Sequence, residues 1–121
     1  MSAGILVCVG LAGGLGACAR FALDGAVTAR TSLAFPWGTL VVNVLGSFLL
    51  GLLAGITLGA DAWRIAATGL LGAFTTFSTW VFASQRLAGA GQGRAAALNI
   101  VLSLVLGLGA VWLGRSIGSR L

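Results

Sequence analysis

Charged side chains are scarce in this sequence, and several ionisable residue types are missing. The 121 residues include seven arginines and two aspartates, but no lysine, glutamate or histidine. Without histidine, the chain cannot build an imidazole-type zinc or copper site, or a Ser-His-Asp catalytic arrangement. The arginines are scattered singly and do not form the positive groove that nucleic-acid binding requires. We therefore expect no enzyme of these kinds and no nucleic-acid partner.

Apolar residues make up 59% of the chain and charged residues only 7%. Because a soluble domain normally carries about a quarter charged residues, this composition excludes a soluble globular protein. Four apolar spans of about 20 residues each fit the chain length with three short connections. The sequence predicts an all-α membrane protein, with one four-helix transmembrane domain over residues 1–121.

The four predicted spans are separated by polar or glycine-rich connections. They cover residues 5–23, 36–58, 63–86 and 95–113. Along the second span, small residues recur at every fourth position: Ser47, Gly51, Gly55 and Gly59. Such a run places small side chains on one helix face and lets a neighbouring backbone approach closely in lipid. We expect a close helix contact on this face.

The middle of the third span combines a glycine with a run of hydroxyl residues. Gly72 precedes these four side chains: Thr75, Thr76, Ser78 and Thr79. Glycine and β-branched threonine both weaken a helix, and hydroxyls satisfy freed backbone groups. The pattern predicts a break in the third helix, which the membrane interior tolerates only inside protein or beside a polar cavity. The alternative is a continuous helix whose hydroxyls bond to their own preceding turn.

Uncharged polar and aromatic side chains inside the spans are candidates for an ion path. They are Phe74, Phe77 and Trp80 in the third span, Asn43 in the second, and Asn99 and Ser103 in the fourth. Aromatic ring edges carry positive charge, and amides and hydroxyls donate hydrogen bonds, so this set suits an anion. Helix packing, lipid contact and interhelical hydrogen bonding are the alternatives.

The arginines are divided almost evenly between the two sides of the membrane. Three are predicted on the N-terminal side: Arg64, Arg115 and Arg120. Four are predicted on the opposite side: Arg20, Arg30, Arg86 and Arg94. Orientation normally follows an excess of positive charge on the cytoplasmic side, so this balance favours insertion in both directions and antiparallel pairing. Alternatively, the first span or the insertion machinery sets one orientation. Four helices are too few to enclose a polar path, which favours a dimer.

Both aspartates, Asp24 and Asp61, fall in predicted connections, so we expect no carboxylate within the spans. Proton-coupled transporters depend on ionisable residues inside the membrane. Small multidrug-resistance transporters share this size but need a membrane-embedded glutamate, which this chain lacks. A proton-coupled exporter of the same anion or another small four-helix dual-topology transporter is therefore the alternative rather than the preferred function.

Three motifs in order resemble the Fluc (CrcB) family of bacterial fluoride channels. They are GGLGACARF at residues 13–21, GTLVVNVLGSF at 38–48 and GAFTTFST at 72–79. The resemblance covers nearly the whole chain. It implies a multi-pass protein of the bacterial inner membrane that exports F⁻ passively, reduces fluoride toxicity and catalyses no reaction. It also implies an antiparallel, dual-topology dimer with two pores.

The resemblance also implies roles for individual residues. Its pore positions match Asn43, Phe77, Trp80, Thr39, Ser78, Thr79 and Ser103. Backbone carbonyls of Gly72 and Thr75 from both subunits would hold a structural Na⁺ at the dimer centre. Arg20 matches the arginine at the end of the family's first span.

Three positions depart from the family pattern. Trp80 stands where the second pore aromatic is usually phenylalanine. Gly107 falls on a polar track of the family's fourth span, where it lacks the hydroxyl. Ala83 replaces an acidic residue found in many members. Some members pair two homologous chains, and such losses would suit one half of that pair. The balanced arginines favour a homodimer. The expected partners are fluoride, the lipid bilayer and a second copy, or a homologous chain.

Overall fold

In a computed structural model of the chain, the described residues form helices and no strand. These residues are 2–31 and 35–121, with only the backbone described at Ser78. The helices are α1 (Ala3–Arg30), α2 (Trp37–Ile56), α3 (Ala60–Trp63), a π-helix (Arg64–Leu71), α4 (Gly72–Phe74), α5 (Ser78–Gly89) and α6 (Gly93–Gly118). Four helical stretches within this part of the chain are long and apolar enough to cross a membrane: Ala3–Arg30, Trp37–Ile56, Ala60–Gly89 and Gly93–Gly118. The predicted all-α, four-span architecture is confirmed.

α1 is longer than the predicted first span and ends at Arg30 rather than near Leu23. The helix continues because its hydrogen bonds need no apolar residues and no proline interrupts this segment. Asp24 therefore lies inside α1, and its prediction as a connection residue is wrong. Its carboxylate accepts a hydrogen bond from Thr28 Oγ1 at 3.2 Å and lies against Gly38 in the first turn of α2. The carboxylate is thus at the end of the bundle where α2 begins.

α2 and α6 pack with their backbones in contact. The contact is formed by four glycines: Gly51 and Gly55 on α2, and Gly114 and Gly118 on α6. A Cβ atom added to any of them would overlap backbone atoms of the opposite helix. The predicted close contact is confirmed at Gly51 and Gly55. Gly59 lies beyond the end of α2, and a Cβ atom there would have no neighbour within 4 Å.

α1 packs on the π-helix in the same way. Gly16 faces the carbonyl of Leu70, and Gly69 faces the carbonyl of Val9. On the outer surfaces of the bundle, large apolar side chains such as Leu15 and Leu108 are about 70% exposed. An apolar outer surface is what the hydrocarbon interior of a membrane requires. The protein is therefore a multi-pass membrane protein built from two closely packed helix pairs.

Candidate functional site

The third membrane-spanning stretch is interrupted at residues 75–77. α4 ends at Phe74, Thr75 is extended with φ −79° and ψ 159°, and α5 begins at Ser78. The preceding turns, Arg64–Leu71, are π-helical, a wider geometry that is frequent at functional sites. At the interruption, backbone N–H and C=O groups therefore lack the hydrogen bonds that a continuous helix would provide.

Asn43 of α2 holds this interruption through both ends of its side-chain amide. Its Nδ2 donates to the Thr76 carbonyl, and its Oδ1 accepts from the Thr76 N–H, each at 2.8 Å. The Oγ1 of Thr76 in turn accepts the N–H of Thr79 at 3.3 Å. In a continuous α-helix these two N–H groups would bond to the carbonyls of Gly72 and Thr75. Side-chain oxygens thus divert the helical donors from both carbonyls.

Arg20 approaches the interruption from α1. Its Nε donates to the carbonyl of Ala73 at 3.4 Å, close to the end of α4. A cation near the last carbonyls of a helix interacts favourably with the helix dipole. Arg20 was predicted to mark the end of the first span, but α1 continues ten residues further, to Arg30. Its contact is therefore with the interior of the bundle.

A cavity of about 340 Å³ lies beside the interruption. Its polar side chains come from Asn43, Ser47, Thr75, Thr76 and Ser103, and its aromatic rings from Phe77 and Trp80. The two rings meet edge to face, with centroids 5.5 Å apart and planes at 63°. Every lining side chain is uncharged. The cavity therefore offers hydrogen-bond donors and ring edges without a fixed charge.

Most of the predicted pore and ion-binding residues meet at this cavity, but not all of them. Asn43, Phe77, Trp80 and Ser103 come together around the cavity, as do Gly72 and Thr75. Thr39 is buried in the first turn of α2, and Thr79 lies in the first turn of α5; neither lines this cavity. The side chain of Ser78 falls outside the described part of the structure.

Sequence reasoning did not single out Ser84, which belongs to a buried hydrogen-bond network behind the cavity. Asn99, fully buried on α6, donates through Nδ2 to Ser84 Oγ at 2.8 Å. Ser84 Oγ donates to the Trp80 carbonyl at 3.0 Å. The sequence signal that could have indicated this bond is the spacing, because Ser84 follows Trp80 by four residues on the same predicted span.

The departures from the family pattern also have definite surroundings. Gly107 lies opposite Ser47 in the contact between α2 and α6, with the added Cβ position 3.7 Å from the serine Oγ. Ala83 is buried on α5, with 5% of its surface exposed. An acidic residue at this position would therefore be largely buried.

These features define a class of protein: a small four-span membrane protein with an uncharged polar cavity at a helix interruption. Residues 7–115 match the family model described as CrcB-like protein, Camphor Resistance (CrcB). The chain belongs to this family, and the resemblance predicted from the three motifs is confirmed.

Three similar proteins support this assignment. A protein of Mycolicibacterium paratuberculosis named fluoride-specific ion channel FluC 2 is 50% identical, over 93% of each chain. A protein of the same name from Mycobacterium bovis is 48% identical, over 95% of this chain and 91% of its own. Fluoride-specific ion channel FluC 1 of Symbiobacterium thermophilum is 44% identical, over 93% and 95% respectively. These names denote channels rather than enzymes, in agreement with the prediction that the protein is not an enzyme.

Proposed function

We propose that this protein is a fluoride-selective channel that conducts F⁻ passively out of the cell across the bacterial inner membrane. The observation that carries the proposal is the uncharged cavity, where Asn43, Ser103 and the rings of Phe77 and Trp80 converge. The names of the relatives support fluoride as the ion. In this proposal residues 1–121 form one channel domain, which lowers the toxicity of fluoride that has entered the cell.

The cavity has the chemistry to replace the water around a small anion. Fluoride is strongly hydrated, so a conducting path must offer donors at close range and still release the ion. Asn43 uses one hydrogen of its Nδ2 group on the Thr76 carbonyl, and the second hydrogen remains for an anion. The positive edges of Phe77 and Trp80 add attraction without a fixed charge. The absence of a strong charge keeps binding weak enough for passage.

Four hydroxyl residues complete the proposed pore: Thr39, Ser78, Thr79 and Ser103. Ser103 Oγ is buried and has no protein partner within the described residues, so it is available to donate. An unpaired buried hydroxyl costs stability, which a bound anion or water would recover. Thr39 and Thr79 would have to line a part of the path beyond the cavity.

We further propose that the carbonyls of Gly72 and Thr75 hold a structural Na⁺. The donor set fits, because the N–H groups that a continuous helix would direct to these oxygens bond to side chains instead. Hard cations prefer oxygen ligands, and two carbonyls from one chain fill only part of a coordination shell. When bound, the ion supplies a fixed positive charge at the meeting point of two chains. A second copy would contribute the same two carbonyls.

The proposed unit is an antiparallel homodimer with two pores. Because Arg20 bonds inside the bundle, three arginines remain at each end: Arg64, Arg115 and Arg120 against Arg30, Arg86 and Arg94. An equal division gives neither orientation an advantage under the positive-inside rule. A homologous partner chain in fixed orientation is the alternative.

Ion flux from liposomes containing the purified protein tests the proposal. Fluoride efflux should be fast and driven by the membrane potential, while chloride efflux should be undetectable. Equal rates for the two anions would contradict fluoride selectivity. Flux that follows a pH gradient instead of voltage would indicate a proton-coupled exporter. No flux of either ion would indicate a protein that does not conduct.

A further inference from the structure

A closed set of hydrogen bonds ties Trp80 of α5 to Asn99 of α6. The indole Nε1 donates to the Asn99 carbonyl at 3.4 Å. In the other direction, Asn99 Nδ2 donates to Ser84 Oγ at 2.8 Å, and that hydroxyl donates to the Trp80 carbonyl at 3.0 Å. The side chain and the backbone of Trp80 are thus both attached to the same residue of α6.

Burial makes these bonds costly to break. Asn99 is 0% exposed and Ser84 is 7% exposed, so water cannot replace a lost partner at either side chain. Asn99 Oδ1 already has no protein partner among the described residues, so loss of the Nδ2 bond as well would leave the buried amide without any side-chain hydrogen bond, at a cost in free energy. The two side chains therefore fix the α5 backbone at Trp80 against α6, which keeps the indole N–H within reach of the Asn99 backbone carbonyl.

The position of the indole N–H matters because Trp80 lines the cavity next to Phe77. A free indole N–H would be a strong donor there and would hold an anion more firmly than a ring edge does. Here the N–H points to α6 and is already bonded. The cavity consequently receives the aromatic ring of Trp80 without its polar group.

We propose that Asn99 and Ser84 are positioning residues for Trp80. They keep its indole N–H on α6, so that Trp80 presents only a ring edge to the ion path. The role of this ring edge in conduction rests on the proposed fluoride function. The attachment of the indole to α6 does not depend on it.

A double-mutant cycle on fluoride flux tests the role in conduction. Asn99→Leu keeps the branched shape of the side chain but cannot bond to Ser84, and we expect it to lower flux about tenfold. The same change in the Trp80→Phe background, where no indole N–H needs positioning, should lower flux less than about twofold. Equal effects in the two backgrounds would overturn the proposal, because Asn99 would then act independently of Trp80.

A matched serine pair separates the network from an ordinary helix hydroxyl. Ser116 Oγ donates to the Trp112 carbonyl at 2.9 Å, the same bond over the same spacing, but on an exposed surface. Ser84→Ala should lower fluoride flux and admit measurable chloride, while Ser116→Ala should leave both unchanged. Identical flux from the two variants would overturn the proposal.

Fluorescence tests the attachment without any transport measurement. Changing Trp37, Trp63 and Trp112 to phenylalanine leaves Trp80 as the only indole in the chain. In this background, Asn99→Leu should lower the emission anisotropy of Trp80 and shift its emission wavelength. An unchanged spectrum would overturn the positioning role. If the wild-type protein does not conduct fluoride but the spectrum changes, the proposed function fails while the attachment stands.

Discussion

Asn43 uses its side-chain amide on a single residue, Thr76, and so fixes the backbone at the helix interruption. The sequence placed the polar side chain of Asn43 inside the second predicted span, but it did not predict that this side chain bonds to Thr76. The pairing makes Asn43 a structural support for the interruption as well as the proposed donor to fluoride. A substitution at Asn43 should therefore affect both the backbone and the ion.

Asn43→Asp keeps the size of the side chain but removes the donor to the Thr76 carbonyl. It also introduces negative charge beside the cavity, so we expect fluoride flux to fall at least about 100-fold. Efflux from liposomes measures this loss. Gln92→Glu, the same chemical change at an exposed residue before α6, serves as the control and should retain flux. Normal flux through Asn43→Asp would contradict a role for the amide.

Phe77→Ile removes the ring edge from the cavity while preserving an apolar side chain. Because Phe77 is 73% exposed in the single chain, the change should hardly alter the stability of the fold. We expect fluoride flux to fall about tenfold or more, since the aromatic quadrupole is lost. Thermal unfolding in detergent and liposome efflux measure the two effects.

Phe82→Ile is the matched control for this prediction. Phe82 lies on α5 as well, is 63% exposed, and does not line the cavity. It should retain wild-type flux. Equal losses for the two variants would show that any exposed phenylalanine on this span matters, and that the ring at Phe77 has no special role.

At the scale of the elements, glycine decides how closely α2 and α6 approach. Without Cβ atoms at Gly51 and Gly114, the two backbones come into contact along one face. Close approach gains van der Waals contacts, which drive helix association in lipid where the hydrophobic effect is absent. This contact holds the α2 residues of the cavity, including Asn43, in register with Ser103 of α6.

Gly51→Ala should destabilise the protein, because the new methyl group would overlap the Val111 carbonyl of α6. We expect a cost of about 1–3 kcal/mol, typical of overpacking in a close contact. Gly109→Ala on α6 is the control, since its Cβ would have no neighbour within 4 Å. Thermal unfolding in detergent compares the two. A Gly51→Ala variant as stable as Gly109→Ala would contradict the close contact.

The helix boundaries show where sequence patterns lose information. The apolar pattern predicted α2 within two residues at its C-terminal end, where Thr57 takes a left-handed conformation with φ 61°. α1 and α6 both extend beyond their apolar stretches, because a helix may continue into water once it is nucleated in the bundle. Hydropathy marks the extent of the membrane rather than the extent of the helix.

At the scale of the whole molecule, the arginines give no preference for one orientation. Charge added to one end should therefore decide the direction of insertion. Thr31→Lys with Gln92→Lys charges one end of the bundle, and Gly59→Lys with Ser119→Lys charges the other.

Each of these two double variants should insert in one orientation and conduct little fluoride when expressed alone. Co-expression of the two should restore flux, because oppositely oriented chains can then form the proposed antiparallel pair. Flux in membrane vesicles measures the outcome, with the unmodified chain as reference. Full flux from either double variant alone would contradict an antiparallel homodimer.

The sequence by itself determined the membrane class, the four spans and the family. These follow from composition, hydropathy and short motifs, which depend on neighbouring residues. Tertiary structure alone decided that Asn43 bonds to Thr76, that Arg20 bonds to Ala73, and that Asn99 bonds to Ser84. Each of these bonds joins residues on different spans, and its geometry depends on how closely glycine faces let the helices pack. The residue pattern along the chain does not predict the distance between packed helices.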